Sequence, residues 1–247
     1  MSVPFPPVEP PATGWRFGPP ERWDPEDDLV GAGADLEPGT VLEAYRHGVF
    51  PMPLGGRRDP LGWWSPVERG VLEPGALKVS RSLRRAARDY EIRVDCAFEE
   101  VLGACADPRR PGGWIDARIR ATYGRLHRDG WVHSVEAWRE GRLAGGLYGV
   151  GVGALFAGES MFHRERDASK VALLGLVRLL EQARGADWLV DVQWVTPHLA
   201  SLGVREVPRE AYLRRLPPLL AAPPVPWRPP SSPVSGPAGP VSPRPED

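Results

Sequence analysis

Apolar positions change rhythm along the chain. "TVLEAYRHGVF" (Thr40 to Phe50) sets Leu42, Tyr45 and Val49 at helical spacing and predicts a helix with Thr40 as N-cap. "GWWSPVERGVLEP" reads as strand and turn. "SRSLRRAARDY" (Ser80 to Tyr90) predicts a short helix capped by Ser80 or Ser82. "AFEEVLGACA" and "DARIRATYGRLHRDG" predict two more, the second closed by Gly130. The period then falls to two. "WVHSVEAWREGRLAGGLYGVGVGALFAGESMF" predicts three antiparallel strands, with turns at Glu140-Gly141 and around Gly151 to Gly153. "DASKVALLGLVRLLEQARGA" is an amphipathic helix with Asp167 at its start and Gly185 just past its end. "ADWLVDVQWV" follows as a buried strand, "TPHLASLG" as a short helix, Val204 to Val207 as a strand and "REAYLRRL" as a last helix.

Three strands, a helix, a strand, a helix and a strand make an α+β arrangement, and this order resembles the later half of a GNAT-type acyltransferase. The chain has 247 residues, 42% of them hydrophobic, enough for one large domain or two small ones. The 30 Pro gather at the ends. "MSVPFPPVEPPATGWRFGPPERWDPEDD" is expected to be extended, with Trp15 or Phe17 docked on the body. The C-terminal stretch, expected to be disordered from about Ser231, offers only Trp227 as an anchor. The expected organisation is a Pro-rich extension (1–28), a small N-terminal α/β domain (29–77), a GNAT-like domain (78–216) and a Pro-rich tail (217–247). A net charge of -1 gives no global field for nucleic acid, so any such contact needs a local patch. Cys96 and Cys105 show no metal-ligand spacing and suit a reducing cytoplasm. No leader and no bilayer-length apolar run is visible.

Polar residues inside apolar strands carry the candidate chemistry. Asp191 and Gln193 interrupt one predicted strand, and the two-residue period places them on one face. Glu159 interrupts its neighbour. Such groups form either a satisfied structural network or the lining of a site. Arg81, Arg84, Arg85 and Arg88 share one helix face behind Lys78, which suits a phosphodiester backbone or an ordinary solvated face. Trp63, Trp64, Trp114, Tyr123, Phe156 and Phe162 are core aromatics or base-stacking platforms. The loop that would clamp acyl-CoA, "MFHRERDASK", has no glycine, and the glycines of "GGLYGVGVGALFAGE" sit in a hairpin and open no helix.

"AYRHGVFPM", "WWSPVERGVL", "SRSLRRAAR", "GGWID", "LFAGESMFHRERDASKVALL" and "DVQWVTPHLASLG", in order from about Leu29 to Leu216, resemble the leucyl/phenylalanyl-tRNA–protein transferase family. The resemblance implies transfer of Leu or Phe, with Met as a further donor, from aminoacyl-tRNA to the α-amino group of proteins beginning with Arg or Lys. It implies a degradation signal as product and no CoA, other cofactor or metal; a cytoplasmic protein is expected from the cysteines, and nothing in the sequence argues against a monomer. The implied catalytic residues are Asp191, Gln193 and Glu159. The implied aminoacyl-adenosine pocket holds Met52, Trp114, Tyr123, Leu147, Phe156 and Ser160. The implied tRNA-backbone contacts are Lys78, Arg81, Arg84, Arg85 and Arg88. The family's "FPW" reads Phe50-Pro51-Met52 here, and Val192, the middle of the Asp-x-Gln motif, is expected to face away. A CoA-dependent N-acyltransferase and a non-catalytic tRNA-binding module are the alternatives.

Overall fold

The computed structural model describes residues 3–55, 60–110 and 113–228. The tail expected to be disordered from Ser231 lies outside them. Near the N-terminus, β1 (Leu29–Ala32), β2 (Phe50–Pro53) and β3 (Leu61–Trp64) form a sheet in the order β1-β3-β2. Helix α1 (Pro38–Arg46) packs beside it. It starts two residues before the expected cap: Pro38 takes the first helical turn, where its missing N–H costs nothing. Thr40, displaced from that role, shares a 2.7 Å hydrogen bond with the Thr13 hydroxyl.

The larger sheet has seven strands: β4 (Glu68–Leu72), β5 (Glu91–Val94), β6 (Val132–Arg139), β7 (Arg142–Val152), β8 (Leu155–His163), β9 (Leu189–Gln193) and β10 (Arg205–Pro208). Their order is β10-β4-β9-β8-β7-β6-β5. The hairpins β6–β7 and β7–β8 stand where alternation put them. β1, β2 and β5, four residues each, were not separable from loop by period alone. Every pairing in this sheet is antiparallel except β8 with β9, where the crossover helix α5 (Ala168–Arg184) makes the strands parallel.

Helix α5 covers one face of the sheet. Val171, Leu174, Leu176 and Leu180, all nearly inaccessible, press on Val135, Ala144, Leu147 and Val190. Truncating one such leucine to alanine typically costs about 2–5 kcal/mol. α2 (Arg81–Ala86), capped by the Ser80 hydroxyl at Leu83 N–H (3.1 Å), packs beside α5. The other face carries α3 (Phe98–Cys105), α4 (Ala117–Arg128) and the N-terminal sheet. α6 (Pro197–Ser201) joins β9 to β10, and α7 (Arg209–Ala221) closes the fold. α7 runs through Pro217 and Pro218, past the expected end of the last helix, because Leu219 and Leu220 still find apolar partners. Phe17 docks on Trp63 at 4.9 Å, while Trp15 stays half exposed.

Candidate active site

The parallel register of β8 and β9 ends at Ala157 opposite Asp191. Beyond that point both strands slip against their antiparallel neighbours. On β8, Gly158 pairs with Gly149 and Ser160 with Tyr148, which leaves Glu159 as an extra residue. On β9, Asp191 pairs with Val71 and Gln193 with Gly70, which leaves Val192 extra. A slip of this kind bends the strand and re-aims a side chain. Gln193 completes the bend with a positive φ of 61°, and Gly70 lets the backbone of Trp194 come close. The two bulges therefore lie side by side at the C-terminal ends of parallel strands, the usual place for a ligand crevice.

A cavity of about 260 Å³ opens there, lined by Leu72, Leu147, Phe156, Leu173, Leu176, Val190, Val192 and Val204. Glu159, Ser160 and Gln193 also line it, with Thr196, His198 and Arg110. Arg110 itself is tied to the carbonyls of Cys105 (3.2 Å) and Met161 (2.7 Å). Val192, expected to face away, is part of the wall, because the slip turns it in with Val190. Gln193 is nearly buried, and its Nε2 has no hydrogen-bond partner among the described residues. A buried amide without a partner costs about 1–3 kcal/mol, which a ligand group can recover.

Asp191 does not share that face with Gln193 as simple alternation predicts. Its carboxylate is fully buried and turned toward α7. Oδ1 accepts from Arg69 Nε (2.8 Å) and from the Gln193 backbone N–H (2.9 Å). Oδ2 accepts from Arg69 Nη2 (2.6 Å) and from the Tyr212 hydroxyl (2.8 Å). Four donors fill the carboxylate's acceptor positions, so no lone pair is left for a proton from the cavity. The Arg69 guanidinium lies between the rings of Phe50 and Tyr212, and its proton is held more firmly than usual by Asp191 despite burial.

Glu159 has different company. Tyr45 Oη donates to its Oε1 at 2.6 Å, Tyr123 Oη stands 3.2 Å from Oε2, and the two hydroxyls are 2.6 Å apart. Three contacts need three protons, and two phenols supply two. The third is present when the carboxyl is protonated and missing when it is ionised. Burial pushes the Glu159 carboxyl up to about 7, with the Asp191 charge acting the same way against the lowering effect of Tyr45, Tyr123 and Arg69. Both tyrosines stay protonated, because burial and then Glu159 raise them well above the usual phenol range.

Glu159, Gln193, Leu147, Phe156 and Ser160 thus meet at one cavity, with Tyr123 directly behind Glu159 and Asp191 behind Gln193. Met52 and Trp114 do not line it. Met52 lies on β2, where its carbonyl accepts from Trp64 Nε1 (3.1 Å), and half-buried Trp114 packs on the cluster that holds Tyr123. Trp63 is core, with its Nε1 on the Gly33 carbonyl. Lys78, Arg81, Arg84, Arg85 and Arg88 are exposed around α2 and outside the cavity wall. Arg69, Tyr212 and Tyr45 belong to the site and were not anticipated. Arg69 alone gave a signal, a charge inside the strand "ERGVL". Among the described residues no cluster of His, Cys, Asp or Glu is arranged to hold a metal ion, and no helix is long and apolar enough to cross a membrane.

Residues 71–217 match the family model described as leucyl/phenylalanyl-tRNA protein transferase. Residues 34–67 match the N-terminal domain of the same family. A curated leucyl/phenylalanyl-tRNA–protein transferase from Thiobacillus denitrificans is 51% identical over 205 residues, 81% of this chain and 88% of the relative. One from Chromobacterium violaceum is 52% identical over 192 residues, 76% of this chain and 81% of the relative. A third, from Aromatoleum aromaticum, is 47% identical over 212 residues, 84% of this chain and 83% of the relative.

Proposed function

The chain belongs to the leucyl/phenylalanyl-tRNA–protein transferase family, and we propose that it transfers Leu or Phe from aminoacyl-tRNA to the α-amino group of proteins that begin with Arg or Lys. Met, also unbranched at Cβ, fits the same description of a donor. The observation that carries this reading is the apolar cavity of about 260 Å³ with Glu159 and Gln193 among its lining. It suits a single apolar side chain, with polar groups beside the carbonyl to which that side chain is attached.

An aminoacyl ester is already activated, so the reaction needs neither a nucleophilic side chain nor CoA. The acceptor nitrogen attacks the ester carbonyl, a C–N bond forms, and the C–O bond to the terminal ribose breaks. Holding amine and ester in register is worth about 7–11 kcal/mol in favourable cases. We assign that task to Gln193, whose amide faces the cavity while Asp191 fixes its backbone from behind. An amide is a poor base. Glu159, with a pKa of about 7, is matched to an α-amine near ~7.7–8.0 and is our candidate to take the amine proton and return it to the leaving ribose oxygen. Asp191, saturated by Arg69 and Tyr212, is a positioning residue. The N-terminal stretch (29–77) supplies Tyr45 and Arg69, but Arg69 stands on β4, which pairs into the larger sheet, and the stretch 78–216 supplies the rest. Trp114 and Met52 are assigned to the terminal adenosine, and Lys78 with the four arginines at α2 to the tRNA backbone. The product carries a destabilising N-terminus, and the enzyme works as a cytoplasmic monomer.

Acyl-CoA fits less well. Asp167 stands at the start of α5 in a left-handed conformation and pairs with Lys170 (2.9 Å), so an acid occupies the position where a pyrophosphate would need bare N–H groups. A purely tRNA-binding module would leave Glu159 and Gln193 without a task. The test is a transfer assay with leucyl-tRNA or phenylalanyl-tRNA and two peptides that differ only in N-terminal Arg or Ala. Addition of one residue to the Arg peptide alone is expected. Failure with both donors would refute the reading.

A further inference from the structure

The hairpin glycines that fail as a phosphate loop have a different use. A Cβ at Gly149 would stand 2.6 Å from the Phe156 ring, and one at Gly151 would stand 2.6 Å from the Trp227 ring. At Gly153 a Cβ would meet the carbonyls of Leu219, Leu220 and Ala222 at the end of α7. Alternate positions at the end of β7 and in the turn after it are thus bare so that Phe156 and the C-terminal segment can lie against the sheet. That segment is well anchored. Val225 is buried in the core that α5 covers, and Trp227 stacks on His133 at 4.3 Å and 18°. His133 is itself fixed by Asp95 (2.7 Å) and the Gly130 carbonyl (3.0 Å).

Phe156 is fully buried and is shared between two neighbours. One side lines the aminoacyl cavity, and the ring packs on Trp227 at 5.3 Å. Trp227 does not itself line the cavity. It holds Phe156, which among the described residues is the one Phe, Tyr or Trp that does.

We propose that Trp227 is a specificity-determining positioning residue, which sets the depth of the aminoacyl cavity by holding Phe156 in place and so fixes the balance between leucine and phenylalanine as donors. The inference rests on the donor reading above. Removing the indole leaves a hollow that the surroundings refill only in part, and Phe156 is the movable neighbour. A deeper cavity gains for a benzyl side chain and loses contact with an isobutyl one. Differences of about a methylene in an apolar pocket change discrimination by about 10–200-fold, so the Phe:Leu ratio of kcat/KM is expected to rise on the order of tenfold.

The experiment measures kcat/KM with leucyl-tRNA and phenylalanyl-tRNA for the full chain and for Trp227→Ala, Trp227→Leu, Trp227→Phe and Gly151→Ala. Gly151→Ala displaces the indole without deleting it. A ratio that moves toward Phe in the Ala, Leu and Gly151→Ala variants and returns in Trp227→Phe supports the proposal. Trp227→Leu keeps apolar packing, so the ratio remains readable if Trp227→Ala does not fold. A ratio equal to wild type in the folded variants, with both donors falling by one factor, overturns it. Absence of transfer by the wild-type chain from either donor would instead refute the donor reading and take this inference with it.

Discussion

Arg69→Met separates what holds the site together from what the site does. The methionine keeps apolar contact between Phe50 and Tyr212, where the guanidinium lies 5.1 and 4.5 Å from the two rings. It removes both guanidinium bonds to Asp191, at 2.8 and 2.6 Å, and strands a fully buried carboxylate. Breaking such a pair from one side costs about 3–5 kcal/mol, a large share of a typical stability of about 5–15 kcal/mol. Replacing both partners by apolar residues is often neutral, so Arg69→Met/Asp191→Leu is expected to recover most of that loss. It will not recover activity, because the Gln193 N–H loses its acceptor and the strained turn at φ 61° loses its support. Urea unfolding followed by tryptophan fluorescence reads the first quantity, and single-turnover transfer the second. A double variant that is stable and as active as wild type would show that Asp191 does not position Gln193. A single variant that loses under about 1 kcal/mol would show that the pair carries no buried charge to strand.

The raised Glu159 pKa has its own sign. Its folded value of about 7 lies above the ordinary 4.5, so the protonated form is favoured by folding; that contribution is whole below pH 4.5 and lost as pH rises through 7, a span of about 3 kcal/mol at most. Glu159→Gln should therefore show a flatter stability profile from pH 4.5 to 7 in thermal melts, while kcat falls at every pH. A wild-type profile as flat as the variant's would show that Glu159 holds no extra proton in the folded state. Tyr45→Phe deletes a donor that lowers the Glu159 pKa, so the rising limb of the pH–rate curve should move to higher pH; an unmoved limb would mean that Glu159 is not the titrating group. Arg84→Glu/Arg85→Glu should weaken aminoacyl-tRNA binding and reduce the slope of log K against log salt by about 1–2 without altering the melting temperature. An unchanged slope would move the tRNA backbone off this helix.

Local pattern told a good deal. The β6–β7–β8 meander and α5 were legible because each keeps one period for many residues. Glu159, Asp191 and Gln193 were visible as polar interruptions of apolar strands. What escaped is what depends on register between strands. Two-residue alternation placed Asp191 and Gln193 together and Val192 opposite, but one slipped pairing reverses both relations. Arg69 shows only as a charge inside a strand and Tyr45 not at all, because the partners that give them their roles lie 122 and 114 positions away. Thr40 looks like a helix cap in isolation, but Pro38 at the first helical position moves the cap to Glu37.

The ionic cluster behind Gln193 also has an order in time. Arg69 is made early, Asp191 late, and Tyr212 only as the final helix emerges. A ribosome therefore releases nearly the whole polypeptide before Gln193 can be locked into its turn. A chain cut short before Tyr212 would leave Asp191 one donor short and the turn at Gln193 less firmly held.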